Sequence, residues 1–248
     1  MKRFLMATLI LVLAFSSVAL TTPFAVEHMR DAKVYVIHGI PGKDLGADNA
    51  LPVDVLVNNS ICLLKGFTFM QVAGPVSLKP GTYNIQISLA NADKPCSNAA
   101  VITADVPFVA GENATVIAHL TEAGAPTASK YTNDVSPIPG KLARVTVRHD
   151  AAAPAVDIGI TVMLGDLTFS TKVPGLSNPN QAGPVNLTAG AYNVTLYAAG
   201  TDTAVFGPTP LSLKNNSNTF IYAVGSLSNS TFTYIVQSIG GGRRGHKG

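Results

Sequence analysis

Two histidines and two aspartates recur in the same order along this chain, His38 before Asp54 and His149 before Asp157. A His and an Asp are two thirds of a catalytic triad, in which the acid orients the imidazole and the imidazole takes a proton from a nucleophile. The nucleophile is the missing part. No Gly-x-Ser-x-Gly elbow occurs, and no Ser recurs at a matching place beside both pairs. His38 instead follows Val34 and Val36 at period two, which puts it at the inward end of a strand. An imidazole there, bonded to loop backbone or to the Asp, would fix the strand end. On this reading His38, Asp54, His149 and Asp157 form a structural motif with no catalytic residue in it.

Metal chemistry is weaker still. Asp44, Asp48, Asn49 and Asp54 supply oxygen ligands of the kind Ca²⁺ takes. Their spacing does not match the Asp-x-Asp-x-Asp-Gly loop, so a solvated polar loop is the expectation and no metal is assigned. His-Glu-x-x-His and Cys-x-x-Cys are both absent, so nothing supports zinc, and no cofactor is expected. The two cysteines, Cys62 and Cys96, read most simply as one disulfide if the chain is exported. Asn58, Asn113, Asn186, Asn193, Asn215 and Asn229 each begin an Asn-x-Ser/Thr triplet, as chance produces in a chain rich in these residues. Arg243, Arg244 and Lys247 lie in a Gly-rich tail read as unstructured and solubilising.

The elements that must carry these residues are strands. The stretch Gly74-Pro75-Val76-Ser77-Leu78-Lys79-Pro80-Gly81-Thr82-Tyr83-Asn84 returns as Gly183 to Asn193, with seven of eleven positions identical. Each copy reads as strand, tight turn, strand, a hairpin with Gly81 and Gly190 supplying φ > 0 in the turn. Tyr83, Ile85 and Ile87 alternate with Asn84, Gln86 and Ser88, and Tyr192, Val194 and Leu196 with Asn193, Thr195 and Tyr197. That is the period of a half-buried strand. About seven such strands per unit, with no helical period, indicate an all-β chain. It comprises two tandem immunoglobulin-like β-sandwich domains. The expected limits are 33–132 for the first and 142–239 for the second, joined by a linker at 133–141 and followed by a tail at 240–248. The first unit has 16 residues from His to Asp against 8 in the second, so its Gly39–Pro52 loop is the first candidate contact surface, with Asp44, Asp48 and Asn49 on it.

Composition agrees. Hydrophobic residues make up 47% of 248 and charged residues 12%, enough for two cores and too little charge for disorder. Residues 1–19 read as a secretory signal peptide: Lys2 and Arg3, an apolar run, then Ser17-Val18-Ala19, with cleavage after Ala19. No Cys follows that run, which excludes a lipoprotein anchor, and no second long apolar run predicts a membrane span in the mature chain. Of 17 basic residues, Lys2, Arg3, Arg243, Arg244 and Lys247 sit at the ends, leaving 12 against 14 acidic. The rest therefore lacks the basic, aromatic-laced face that nucleic acid requires.

The starts of the two units share a further pattern. Val36-Ile37-His38 precedes Pro52-Val53-Asp54; Val147-Arg148-His149 precedes Pro154-Ala155-Val156-Asp157; both are followed by Leu-x-x-Gly-x-Tyr. This ordered set, and the link Ser136-Pro137-Ile138-Pro139-Gly140-Lys141, resembles the DUF4397 family. The resemblance covers nearly all of Val34 to Ile239 and departs from the pattern where the first unit lacks the Ala between Pro52 and Val53 and spaces His38 and Asp54 more widely. It implies a bacterial, exported, sandwich-like domain, often in tandem, and no reaction. The expectation is thus a secreted or cell-surface, non-catalytic module of unknown specific function, binding a cell-envelope protein or glycan. An extracellular hydrolase using a His/Asp site is the alternative.

Overall fold

A computed structural model describes residues 30–164 and 167–241. The first sandwich contains β1 (Ala32–His38), β2 (Val53–Val57), β3 (Ile61–Phe67), β4 (Val72–Leu78), β5 (Gly81–Leu89), β6 (Ala100–Phe108), β7 (Asn113–Leu120) and β8 (Pro126–Thr132). The second contains β9 (Leu142–His149), β10 (Val156–Leu164), β11 (Leu167–Leu176), β12 (Gln181–Thr188), β13 (Gly190–Ala198), β14 (Ala204–Leu213), β15 (Ser217–Val224) and β16 (Thr233–Gly240). Each unit thus has eight strands, one more than the expected seven or so. They form sheets ordered β4-β1-β7-β8 and β3-β2-β5-β6, then β12-β9-β15-β16 and β11-β10-β13-β14. The same order recurs with every number raised by eight.

The repeated stretch is not a hairpin. β4 pairs with β1, whereas β5 pairs with β2 and β6. The turn at Lys79-Pro80 therefore carries the chain from one sheet to the facing one, and β12 and β13 do the same. Alternation was read correctly, since Leu78 and Tyr83 both pack on the core cluster, but they reach it from opposite sheets. The glycine that both copies need is also a different one. Gly74 and Gly183 have φ +110° and +99°, and an added Cβ would stand 2.7 Å from the Val34 carbonyl oxygen and 2.8 Å from that of Val145. The register slips at these places, between Val34 and Val36 and between Ala182 and Val185, so each Gly-Pro pair is a bulge against the neighbouring strand. Gly81 has φ +153°, but Gly190 is not among the positive-φ residues, so a shared turn requirement there is corrected.

Each sandwich has its own core. Val34, Val36, Val55, Ile87, Val116 and Ala118 lie in the first, and Val145, Val147, Ile158, Leu196, Ile221 and Ala223 in the second. A third cluster lies between them: Ile37, Ile117 and Tyr131 from the first unit meet Phe220, Tyr222, Val224, Ile235 and Ile239 from the second. Strand alternation explains it. Ile37 and Ile117 point away from the core that Val36 and Val116 face. Inner strands β7 and β15 are in consequence buried along both faces. The segment between β8 and β9 is pinned rather than loose. Arg144 pairs with Asp134 at 2.8 Å and donates to the Ser136 carbonyl at 3.1 Å, and Ile138 is buried. Among the described residues no helix is long and apolar enough to cross a membrane.

Candidate functional site

The recurring histidines close the loops that follow β1 and β9. His38 is 1% exposed; its Nδ1 accepts from the Ile40 N–H at 3.3 Å, so Nε2 carries the proton and donates to the Leu51 carbonyl at 2.9 Å. His149 repeats this, accepting from Ala151 N–H at 3.4 Å and donating to the Pro154 carbonyl at 3.1 Å. Burial holds both rings below the usual imidazole range, so both stay neutral. Each ring therefore ties the first residues of a loop to its last, with both nitrogens occupied.

The aspartates do a different job. Asp54 accepts backbone N–H bonds from Gly66 (2.9 Å), Asn91 (3.1 Å) and Cys96 (2.8 Å). Burial pushes its pKa up, but those three bonds and Lys65 outweigh it and hold the carboxyl below its usual range. Asp157 accepts from Gly175 (2.8 Å) and Gly200 (3.0 Å), and those bonds lower its pKa. The structure brings neither His to its Asp. Cys62 and Cys96 are joined as a disulfide, which anchors the loop that also feeds Asp54.

A His, a Ser and an Asp do meet elsewhere, at residues the sequence analysis did not single out. His119 and Ser129 from the first sandwich face Asp150 from the second. Ser129 Oγ lies 2.8 Å from His119 Nε2, and Asp150 Oδ1 lies 3.7 Å from that same nitrogen, while Nδ1 bonds the Leu120 carbonyl at 2.9 Å. A triad needs acid and nucleophile on opposite ring nitrogens. Burial lowers His119 to about 4 and raises Asp150 to about 7, the latter against the Tyr131 hydroxyl, which donates to Oδ1 at 2.7 Å. Beside them Arg148 is fully buried, its guanidinium carbon 4.4 Å from the Tyr131 ring centre, 4.6 Å from Phe220 and 5.2 Å from Tyr222. It donates to the Tyr222 hydroxyl, the Gln181 amide oxygen and the Thr132 carbonyl. This is an interdomain clasp. Its signal in the sequence was on β15, where Phe220, Tyr222 and Val224 stand on the face opposite the core residues Ile221 and Ala223.

Asp150 gives the junction a pH dependence. Its folded pKa of about 7 exceeds the ordinary 3.8, so the stability linked to its proton is full below pH 3.8 and is lost as pH rises toward 7. Asp150→Asn keeps the acceptor for Tyr131 and removes the titration. The variant should gain on the wild type by about 2–4 kcal/mol between pH 4 and pH 8, at roughly 1.4 kcal/mol per pKa unit. Urea denaturation of both proteins at the two pH values reads this; contributions from distant carboxylates cancel in the difference, which reports Asp150 together with its coupling to His119, 3.7 Å away. A difference that does not move with pH rejects it.

The Gly39–Pro52 loop carries a short 3-10 turn, Gly42–Leu45. Asp44, Asp48 and Asn49 on it do not converge. Asp44 crosses to the second sandwich, accepting from Asn229 Nδ2 at 2.9 Å and Thr231 Oγ1 at 2.6 Å. Asp48 accepts from the Ala50 N–H at 3.0 Å, and the Asn49 carbonyl accepts from the Gly42 N–H at 3.2 Å. Among the described residues no three His, Cys, Asp or Glu side chains gather as metal ligands. Two clefts flank the loop. A polar one of about 270 Å³ runs between the sandwiches, lined by Asp44, Glu122, Ser226, Ser228 and Asn229. An apolar one of about 160 Å³ opens into the first sandwich between Leu45, Leu51, Ile87, Val101 and Ile102. Residues 1–19 and 242–248, with the signal sequence and the basic tail, lie outside the described residues.

The family described as "Domain of unknown function (DUF4397)" matches residues 32–159, which is 128 of the 248. No curated protein matches the chain. Among solved structures, "The Bacillus anthracis TIE protein" is similar at 12% identity and a TM-score of 0.23, over 78% of this chain and 33% of that one. The chain thus spans about a third of that structure's length.

Proposed function

The chain belongs to the DUF4397 family, a family of unknown function, and from that premise we propose that it is a non-catalytic binding module of the cell envelope. Residues 1–19 direct export and are removed after Ala19. The units 33–132 and 142–239, joined by 133–141, then act as one body. Its partner is an envelope protein or glycan, its contact surface is the Gly39–Pro52 loop, and no cofactor or nucleic acid takes part. The observation that carries this reading is how the recurring polar residues are used. Both nitrogens of His38 and of His149 bond loop backbone, and the carboxylates of Asp54 and Asp157 are filled by backbone N–H groups. The shared motif is spent on scaffold, while the loop found in one copy alone borders both clefts.

The test is retention on a washed envelope fraction from the source cells. The mature chain, beginning at Leu20, should be retained. A variant with Gly39–Pro52 replaced by the five residues Asp150–Pro154 of the second unit should lose retention while keeping its β-sheet circular dichroism. Equal retention would overturn the loop assignment. Hydrolysis by the mature chain that His38→Gln abolishes, with the fold intact, would replace the module with an enzyme.

A further inference from the structure

The two sandwiches, built alike, differ in what fills them: the first has Phe67 and Phe108 where the second has Leu176 and Leu213, and at one place the difference runs the other way. Beyond the inner end of β1, His38 is registered beside Ala118, and at the same point of the second unit His149 is registered beside Ala223. Around Ala223 the second unit stacks its own rings. Phe206, the partner of Leu196, lies 5.4 Å from Phe232 and 5.8 Å from Tyr234 between ring centres, both edge-on. This edge-to-face geometry is the favoured packing of aromatic rings. Tyr234 is the cross-strand partner of Ala223, and only about 20 Å³ stays open there.

The first unit has none of these rings. The partner of Ile87 is Ile102, where Leu196 has Phe206. The partner of Ala118 is Ala128, where Ala223 has Tyr234. Two residues before Ala128 stands Pro126, the counterpart of Phe232. The space those rings occupy in the second unit is the apolar cleft of about 160 Å³ in the first, roofed by the Gly39–Pro52 loop. A dry apolar cavity of about 150 Å³ is large enough to take benzene. His38 and Ser88 are the only polar side chains in the lining, and both nitrogens of His38 are engaged, so the cleft offers no charge. Its mouth is rimmed by Leu45, Leu89 and Val101, which are 39%, 49% and 56% exposed. Apolar side chains gathered in the open around a recess mark binding sites more often than chance.

We propose that the cleft under the Gly39–Pro52 loop binds a neutral phenyl ring supplied from outside, in the place where the second unit supplies its own. The proposal rests on the reading of that loop as the contact surface and names the chemistry it receives. Fluorobenzene, followed by ¹⁹F NMR during titration with the full chain, is the probe for a free ring, and N-acetyl-phenylalanine amide is the probe for a ring borne on a peptide. Saturable binding of either supports the proposal, and the tighter probe identifies the source. The double variant Ile102→Phe/Ala128→Tyr rebuilds the second unit's filling and should bind at least tenfold more weakly. Leu89→Asp, at an exposed rim position, places a charge at the mouth and should also weaken binding several-fold; it decides the matter if the double variant does not fold. Absence of saturable binding to either probe, or undiminished binding by the folded variants, overturns the proposal. Such a result alongside loss of envelope retention in the loop-shortened chain would leave the loop reading standing and remove the ring alone.

Discussion

Arg148→Ala should lower stability by about 3–5 kcal/mol, the range for deleting a large buried side chain together with its hydrogen bonds. Arg148 is 0% exposed, sits between three aromatic rings, and donates to Tyr222 at 2.6 Å, Gln181 at 3.0 Å and Thr132 at 3.2 Å. Truncation leaves two of these acceptors, the Gln181 amide and the Thr132 carbonyl, without their donor and opens a void at the domain junction. Arg148 shares the second sandwich with Gln181 and Tyr222, while Thr132 and the Tyr131 ring belong to the first, so the loss falls on the second unit and on its docking together. Wild type should melt in one calorimetric transition, because an apolar interface couples the units. The variant should melt in two. Arg148→Lys keeps the charge but not the planar fork, and should recover less than half of the loss. A change under about 1 kcal/mol, small against the usual cost of a buried truncation, would mean that the clasp contributes little.

Opening the disulfide is the second large effect. Cys62→Ser should lower stability by about 3–4 kcal/mol, the chain-entropy value for a closed loop of some 34 residues. The effect has a structural companion. The Cys96 N–H donates to Asp54, so the bridge also holds one of the three donors that keep that carboxylate satisfied. The variant should therefore lose amide protection at Gly66, Asn91 and Cys96 before the rest of the first sandwich, measured by hydrogen exchange. Equal thiol titration of the wild-type protein with and without reductant would show that there is no bridge to open.

Much of the scaffold was legible because alternation is local. Val34, Val36 and His38 share one face of β1 whatever the rest of the chain does, and the inward end of a strand was the right place for His38. Its bonding to Leu51 and Ile40 was within reach, since these lie 13 and 2 residues away. Asp54 was not legible in the same way. Its donors stand 12, 37 and 42 residues off, one in β3 and two in the loop between β5 and β6, and no spacing rule ties them together. The pairing of β4 was misread for a related reason. A tight turn between two alternating strands fits a hairpin and an arch between facing sheets equally well, and only the partners of β4 decide between them.

The amino-acid sequence by itself determined the alternating strands, their inward faces and the duplication. All of these follow from side-chain type and from backbone conformations that neighbouring residues impose. Tertiary structure alone decided what covers each outward face. Ile117 and His119 alternate with core residues and read as a second, outer face; in the fold that face is buried against Phe220, Tyr222 and Ile235. Arg148 stands in the sequence as the unremarked residue between Val147 and His149, and in the fold it joins two domains. The same holds for the cleft beneath the Gly39–Pro52 loop, which exists because Ile102, Pro126 and Ala128 are small where Phe206, Phe232 and Tyr234 are not. Local chemistry sets the character of a surface, but whether that surface meets water, a neighbouring sheet or an empty space depends on residues a hundred positions away.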